Sequence, residues 1–155
     1  MWNANGRFVP YGLSESSECF DPETGKFLLG PSRYGLTCSS FIVAVFKLAG
    51  FTLLDESTWP SMREGDLEWK QQMLGILEEW RLKQKASTEH VKRFSDDHPF
   101  LRIRPEEVAA SSLVDPLPAT FDQATPKADE ILKMLGCQPK PTIESDARNT
   151  PDSGS

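Results

Sequence analysis

Histidine and cysteine are scarce in this chain, which narrows the chemistry that its sequence supports. The 155 residues include two histidines and three cysteines, and no two cysteines have the Cys-x-x-Cys spacing. Disulfide-stapled folds and zinc sites need more of these residues at short spacing, so the sequence favours neither. Sparse, unpaired cysteines are typical of a reducing compartment, and we therefore expect a cytoplasmic protein.

Long apolar runs and basic runs are also missing. The longest apolar run, Phe41 to Phe46, is far short of the roughly 20 residues that a membrane-spanning helix needs. The formal net charge is -6 and its charges are interspersed, which argues against a nucleic-acid or anionic-membrane surface. Glycine-rich phosphate motifs are absent, and the acidic residues 64, 66 and 68 lack a histidine at ligand spacing. We therefore expect no cofactor and no metal site.

The composition is that of one ordinary globular domain. With 38% hydrophobic and 26% charged residues, a hydrophobic core is expected. We assign it to residues 1–137, of which 1–34 are mostly loop with a weak hairpin around the turn Asp21–Gly25. Residues 138–155 contain one aliphatic side chain, Ile143, and are predicted to form a disordered tail because they offer too little apolar surface to offset the entropy of ordering.

A short apolar helix from Cys38 to Ala49 is the central element of the prediction. Thr37 can cap its first turn, and Gly50 can end it in the left-handed conformation that glycine adopts without strain. Its side chains are apolar in every direction apart from Lys47, and such a helix is normally surrounded by protein. The β-branched residues between 42 and 45 leave a buried strand as the alternative.

Amphipathic helices are predicted around this element, giving an α+β, predominantly helical fold with a small or incomplete antiparallel sheet. The strand signals are weak, and the clearest is the alternation of apolar and basic residues in Phe100 to Ile103. Tryptophans 59, 69 and 80 are interpreted as packing residues. The predicted helices run from Asp66, as the cap, to Lys83, from Ser87 or Thr88 to Phe94, from Pro105 to Val114, and from Thr125 to Leu135.

Two arginines flank Ile103 and are the main candidates for anion binding. Arg102 and Arg104 can bind an anion together, but Arg104 can equally form a surface ion pair with Glu106 or Glu107. The sequence leaves both interpretations open.

Cys38 is the residue best placed for covalent chemistry. A helix N-terminus is one of the few positions that favours the thiolate, the nucleophilic form of cysteine. Gly35 and the small residues Ser39 and Ser40 are expected to leave room for a carbonyl group, and first-turn amides can stabilise an oxyanion. The alternative is that Cys38 packs as a small hydrophobic residue, as free cysteines often do.

A resemblance to a known family rests on residues 34–43, which read YGLTCSSFIV. They resemble the nucleophile segment of papain-like cysteine hydrolases of the NlpC/P60 superfamily, including its circularly permuted amidase branch. In those families this stretch begins a central buried helix that packs on an antiparallel sheet. The match covers about 15 residues, up to Gly50, and implies that Cys38 is the nucleophile of an amidase or peptidase.

The same resemblance implies a histidine base. His90 and His98 follow the cysteine, as in the usual NlpC/P60 order, although His90 is predicted on a solvated helix and His98 in a loop after Asp96 and Asp97. In the permuted branch the histidine precedes the cysteine, and residues 1–37 contain none. The chain would then be an inactive relative, or a form missing an N-terminal strand and histidine region.

Two functions therefore follow from the sequence. The first is a thiol hydrolase that cleaves an amide or ester, with Cys38 as its nucleophile and His98 or His90 as its base. Such a protein would be a degenerate or truncated member of the family. The second is a non-catalytic helical module whose amphipathic helices contact a protein partner.

Overall fold

Helices dominate the part of the chain that the structure describes. The computed structural model describes residues 9–13, 19–28 and 34–137, so the predicted tail and much of the predicted N-terminal loop lie outside it. The predominantly helical fold is confirmed for these residues. The five α-helices in chain order are α1 Cys38–Leu48, α2 Asp66–Leu82, α3 Thr88–Asp96, α4 Pro105–Ser111 and α5 Phe121–Met134.

The small antiparallel sheet is not confirmed within the described ranges. Their strand pairing consists of two isolated bridges, Phe20–Phe27 (antiparallel) and Leu54–Ala119 (parallel). The first accompanies the predicted turn, in which Gly25 has a φ of 61° and donates its amide to the Asp21 carbonyl. Residues 100–103 form no bridge, so the strand predicted there is wrong. Phe100 packs in a cluster with α2 and α3, and Ile103 packs in one with α1, α4 and α5, so helices and not a sheet bury the apolar residues of this segment.

Local capping signals place most helix starts correctly. Ser87 caps α3 by accepting a hydrogen bond from the His90 amide, and Pro105 occupies the first turn of α4. The end of α1 is also as predicted, because Gly50 has a φ of 83° and donates to the Lys47 carbonyl.

Two predicted helix starts and one helix end are wrong. Gly65, not Asp66, is the N-cap of α2, and the Asp66 side chain turns away to accept from arginines. Helix α5 starts at Phe121 rather than Thr125, because Thr120 and Gln123 form a reciprocal capping box. Pro126 therefore lies inside the helix, where it removes one intrahelical hydrogen bond. Helix α4 ends at Ser111, short of the predicted Val114.

The buried side chains form three clusters. The largest joins α1, α4 and α5, and the second joins α2 and α3 to the segments 11–13 and 100. The third lies between α1 and the Phe20–Phe27 turn. In that order their buried members are Val43, Leu53, Leu54, Trp59, Ile103, Val108, Ala110, Ala124 and Ala128; Leu13, Tyr34, Leu77, Val91, Phe94 and Phe100; and Cys19, Leu36 and Ala44. Trp59 is buried and Trp69 and Trp80 pack against the second cluster, which confirms tryptophan as a packing residue here.

Helix α1 forms, but it is not buried. The strand alternative is therefore wrong, and so is the prediction of a central helix surrounded by protein. Only Ser39, Ser40, Val43 and Ala44 are buried, whereas five large apolar side chains are between 40% and 43% exposed: Phe41, Ile42, Val45, Phe46 and Leu48. The physical reason is that an apolar side chain is buried only where other residues pack against it. The described residues pack against one side of α1 and leave the other side exposed.

Candidate active site

Cys38 is the first residue of α1, and its backbone is held by a reciprocal cap. The Thr37 hydroxyl accepts a hydrogen bond from the Ser40 amide at 3.1 Å, and the Ser40 hydroxyl accepts one from the Thr37 amide at 2.8 Å. Both capping side chains are buried, whereas Cys38 itself is exposed. The start of the helix is therefore rigidly defined while the thiol remains open to solvent.

The thiol lies on the same side of α1 as the exposed apolar side chains. In an α-helix, residues three, four, seven and eight positions apart share one face. Relative to Cys38 these positions are Phe41, Ile42, Val45 and Phe46, all exposed. We call this surface the α1 apolar face. A group that contacts it near the start of the helix also meets Cys38.

The segment 10–12 packs beneath the residues that lead into α1. The Leu36 amide donates to the Pro10 carbonyl at 2.9 Å, and the Gly12 amide donates to the Leu36 carbonyl at 3.3 Å. A Cβ on Gly35 would lie 2.6 Å from the Pro10 oxygen, so only glycine fits there. Gly35 is buried, which corrects the prediction that it opens space for a substrate: its space is occupied by this segment.

Tyr11 connects the Cys38 region to α3. Burial raises the pKa of its phenol above the ordinary value, and the nearby Cys38 thiol acts in the same direction, while Arg102 opposes both. The Tyr11 carbonyl is 2.7 Å from Nε2 of His90. Tyr11 therefore contacts His90 through its carbonyl, and its phenol lies within the electrostatic range of Cys38.

His90 is half-buried, in contrast to the solvated position predicted for it. Its ring packs edge-on against Tyr34, with the ring centres 5.8 Å apart. A carbonyl acceptor at Nε2 requires that nitrogen to carry the proton, which leaves Nδ1 as the basic nitrogen of the neutral ring. The side chain is thus fixed in orientation, as a base must be.

His98 is exposed in the loop predicted for it, and its neighbouring carboxylates bind elsewhere. Asp97 accepts a hydrogen bond from the Tyr34 hydroxyl at 2.6 Å, and Asp96 forms an ion pair with Lys92. Among the described residues, no hydrogen bond joins Cys38 to either histidine. The catalytic role of Cys38, His98 and His90 stays a prediction.

A cluster of three arginines and two buried carboxylates was not predicted as a unit. Asp66 has no exposed side-chain surface and accepts hydrogen bonds from the Arg63 amide at 3.0 Å, from Arg102 at 3.2 Å and from Arg104 at 3.1 Å. Glu107 is also buried and binds the Arg63 guanidinium and the indole nitrogen of Trp59. The predicted surface ion pair of Arg104 with Glu106 or Glu107 is wrong, because the Arg104 side chain binds Asp66.

The described residues contain no group of histidine, cysteine, aspartate and glutamate arranged to hold a metal ion. None of the helices in these ranges has both the length and the apolar character needed to cross a bilayer.

Comparison of the chain with protein-family models, with curated proteins and with solved structures gave no match. The functional argument therefore rests on the residues and their geometry.

Proposed function

We propose that Cys38 is the nucleophile of a thiol hydrolase of the NlpC/P60-like kind, which cleaves an amide or ester bond. The observation that carries the proposal is an exposed thiol on the first residue of a capped 11-residue helix. The resemblance of residues 34–43 to the nucleophile segment of that superfamily supports the same proposal from the sequence.

The start of α1 supplies the groups that acyl transfer requires. The thiolate attacks the carbonyl carbon, and negative charge develops on the carbonyl oxygen. The bond to the amine or alcohol then breaks, the leaving group takes the proton held by the histidine, and water hydrolyses the resulting thioester to the acid and the free thiol. The first amides of an α-helix have no acceptor within the helix. Because the Ser40 amide is occupied by the Thr37 hydroxyl, the amides of Cys38 and Ser39 are the ones assigned to the oxyanion.

His90 is a better candidate than His98 for the base. It is held by the Tyr11 carbonyl, and the Tyr11 phenol lies within the electrostatic range of Cys38, whose thiolate raises the phenol pKa. Proton transfer requires hydrogen-bond reach, or a bridging water, in the substrate complex. In this proposal Nδ1 of His90 accepts the thiol proton, directly or through a bridging water, both with and without substrate.

Alkylation by iodoacetamide near neutral pH tests the nucleophile, with Cys137 as an internal control. Both thiols are exposed, but Cys137 follows the C-terminal end of α5, where the helix dipole disfavours a thiolate. We expect Cys38 to react at least about tenfold faster than Cys137, since the thiolate is the reactive form. Cys137→Ser should keep the fast phase and Cys38→Ser should abolish it.

Replacing His90 by alanine shows whether Cys38 reacts fast because His90 activates its thiol or only because the thiol is accessible. If His90 is the base, the alkylation rate of Cys38 should fall in His90→Ala and change little in His98→Ala. Equal rates for Cys38 and Cys137 would contradict the hydrolase proposal. Mass spectrometry of the tryptic peptides assigns each rate to its residue.

A second candidate function is a non-catalytic helical module, and the α1 apolar face favours it. Isolated exposed apolar side chains are ordinary on proteins, but a contiguous surface of this kind is typical of an interaction site. Slow alkylation of Cys38, together with self-association that Phe46→Glu abolishes in sedimentation experiments, would support this candidate and exclude the first.

A further inference from the structure

A cleft between α2 and α5 has the size and the lining of a small-molecule site. Its volume is about 510 Å³, within the range of roughly 300–1,000 Å³ that is common for ligand pockets. Trp69 and Gln72 of α2 line one wall, and Phe121, Asp129 and Leu132 of α5 line the other. None of the residues that line it belongs to α1, so the cleft is separate from the Cys38 site.

The floor of the cleft carries one excess positive charge. Arg63 forms ion pairs with Glu107 and, at 3.8 Å, with Asp66, and Arg102 and Arg104 both pair with that same Asp66 carboxylate. Three arginines therefore face two buried carboxylates. Burial lowers the pKa of Arg102 from its ordinary value, but an arginine remains protonated in proteins. A ligand anion on the floor would complete this charge balance.

Arg102 and Arg104 also keep hydrogen-bond donors for a ligand. Among the described residues, Arg102 donates from Nη1 to Asp66, and Arg104 donates from Nη2 to Asp66 and to the Glu64 carbonyl. Each guanidinium has five N–H groups in a planar fork. Their side chains are 19% and 24% exposed, and both line the cleft. Two such forks are suited to one carboxylate.

Acidic side chains at the rim determine the rest of the ligand. Four further carboxylates line the cleft, those of Glu64, Glu68, Glu106 and Asp129. Together with the single excess positive charge of the floor, they leave a net of three negative charges. This excess disfavours phosphates and other polyanions. It favours a molecule that brings one carboxylate to the floor and cationic groups to the rim.

We propose that this cleft binds a basic amino acid, with its carboxylate on Arg102 and Arg104 and its ammonium groups beside Asp129 and Glu68. The Trp69 ring carries the Arg102 guanidinium at 4.2 Å and the Phe121 ring carries that of Arg63 at 5.1 Å, so Leu132 is the lining residue assigned to the aliphatic part of the ligand side chain. The proposal does not depend on a hydrolase activity, because every residue it uses lies outside the Cys38 region.

Titration with L-lysine, followed by ¹H–¹⁵N NMR spectra of the full chain carrying Cys38→Ser, tests the proposal. The reporters are the indole N–H of Trp69 and the side-chain amide of Gln72, because both residues line the cleft. We expect saturable shifts of both signals. L-lysinamide, which lacks the carboxylate, and acetate, which lacks the cations, should each bind at least about tenfold more weakly, the factor that corresponds to one lost charge-assisted interaction.

Asp129→Asn is the decisive variant, and Glu130→Gln is its matched control. Asp129 lines the cleft, whereas the neighbouring Glu130 is exposed and does not. Asp129→Asn should weaken lysine binding severalfold with an unchanged melting temperature, and Glu130→Gln should leave binding unchanged. Absence of saturable shifts, equal binding of lysinamide, or equal binding by the two variants would each overturn the proposal.

Discussion

Replacing Asp66 by asparagine should lower the free energy of unfolding by about 3 kcal/mol, within the range of about 3–5 kcal/mol typical of breaking a buried ion pair. Asp66 is fully buried and is the common acceptor for the Arg63 amide and for the side chains of Arg102 and Arg104. The substitution removes the charge and leaves one acceptor oxygen where the structure has two. No other carboxylate of the cluster can replace it, because Glu107 already binds Arg63.

The magnitude follows from the contacts that are lost. A hydrogen bond to a charged group contributes about 1.5–3 kcal/mol. Both arginines bind Oδ1 of Asp66 and the Arg63 amide binds Oδ2, so an asparagine whose oxygen stays on the arginines loses their charge assistance and places its N–H₂ group against the Arg63 amide. Part of the loss is recovered because Arg102 and Arg104 are partly exposed and can turn towards water. The lower end of the range is therefore expected, and it corresponds to a fall in melting temperature of about 10 °C for a domain of this size.

Urea denaturation followed by circular dichroism measures this change, with Glu64→Gln as the control. Glu64 lies two residues away and its side chain is exposed, so the same loss of one charge there should alter stability by less than about 0.5 kcal/mol. A loss below about 1 kcal/mol in Asp66→Asn, or equal losses in the two variants, would refute the conclusion that Asp66 stabilises the arginine cluster.

Two further predictions concern the second core cluster. Burial and the hydrogen bond to Asp97 raise the pKa of Tyr34, and burial raises the pKa of Tyr11. A tyrosine in the unfolded chain has a pKa of about 10. Each tyrosine therefore contributes fully to the free energy of unfolding below about pH 10, and this contribution is lost as the pH rises further. Since the chain has only these two tyrosines, an ultraviolet titration of tyrosinate should show both ionising above the value found in urea, and Tyr34→Phe should reduce the alkaline loss of stability. Lys70 is buried and donates to the carbonyls of Ser95 and Asp97 at the end of α3, so Lys70→Met should cost about 2 kcal/mol in urea denaturation. The exposed Lys83→Met is the control, and equal losses would contradict this role.

Features specified by neighbouring residues could be predicted from the sequence. Thr37 before α1, Ser87 before α3 and Pro105 in α4 act within one helical turn, so each signal is complete in a few residues. Gly50 ends α1 for the same reason: its backbone conformation is a local property. The turn at Asp21 to Gly25 also belongs to this class, since Asp21 accepts from the Thr24 amide at 2.6 Å.

Features that join distant segments could not be predicted. Asp66 meets Arg102 across 36 residues, and Tyr34 meets Asp97 across 63. The nearby partners Glu106 and Glu107 gave Arg104 a plausible local pair, and nothing in the sequence favoured the distant Asp66 over them. One signal is present in part: the sequence predicts that Arg102 and Arg104 act as a pair, but it predicts a helix cap for Asp66, which is their buried counter-ion.

The exposed side of α1 has a consequence for both candidate functions. Cys38 and the α1 apolar face share one side of the helix, so a protein bound there would cover the thiol. An apolar group that enters to react with the thiol would bury the same side chains at Phe41 and Ile42. Catalysis and stable partner binding at α1 are therefore competing uses of one surface. Because both outcomes alter access to a single sulfur atom, the alkylation rate of Cys38 relative to Cys137 distinguishes them directly.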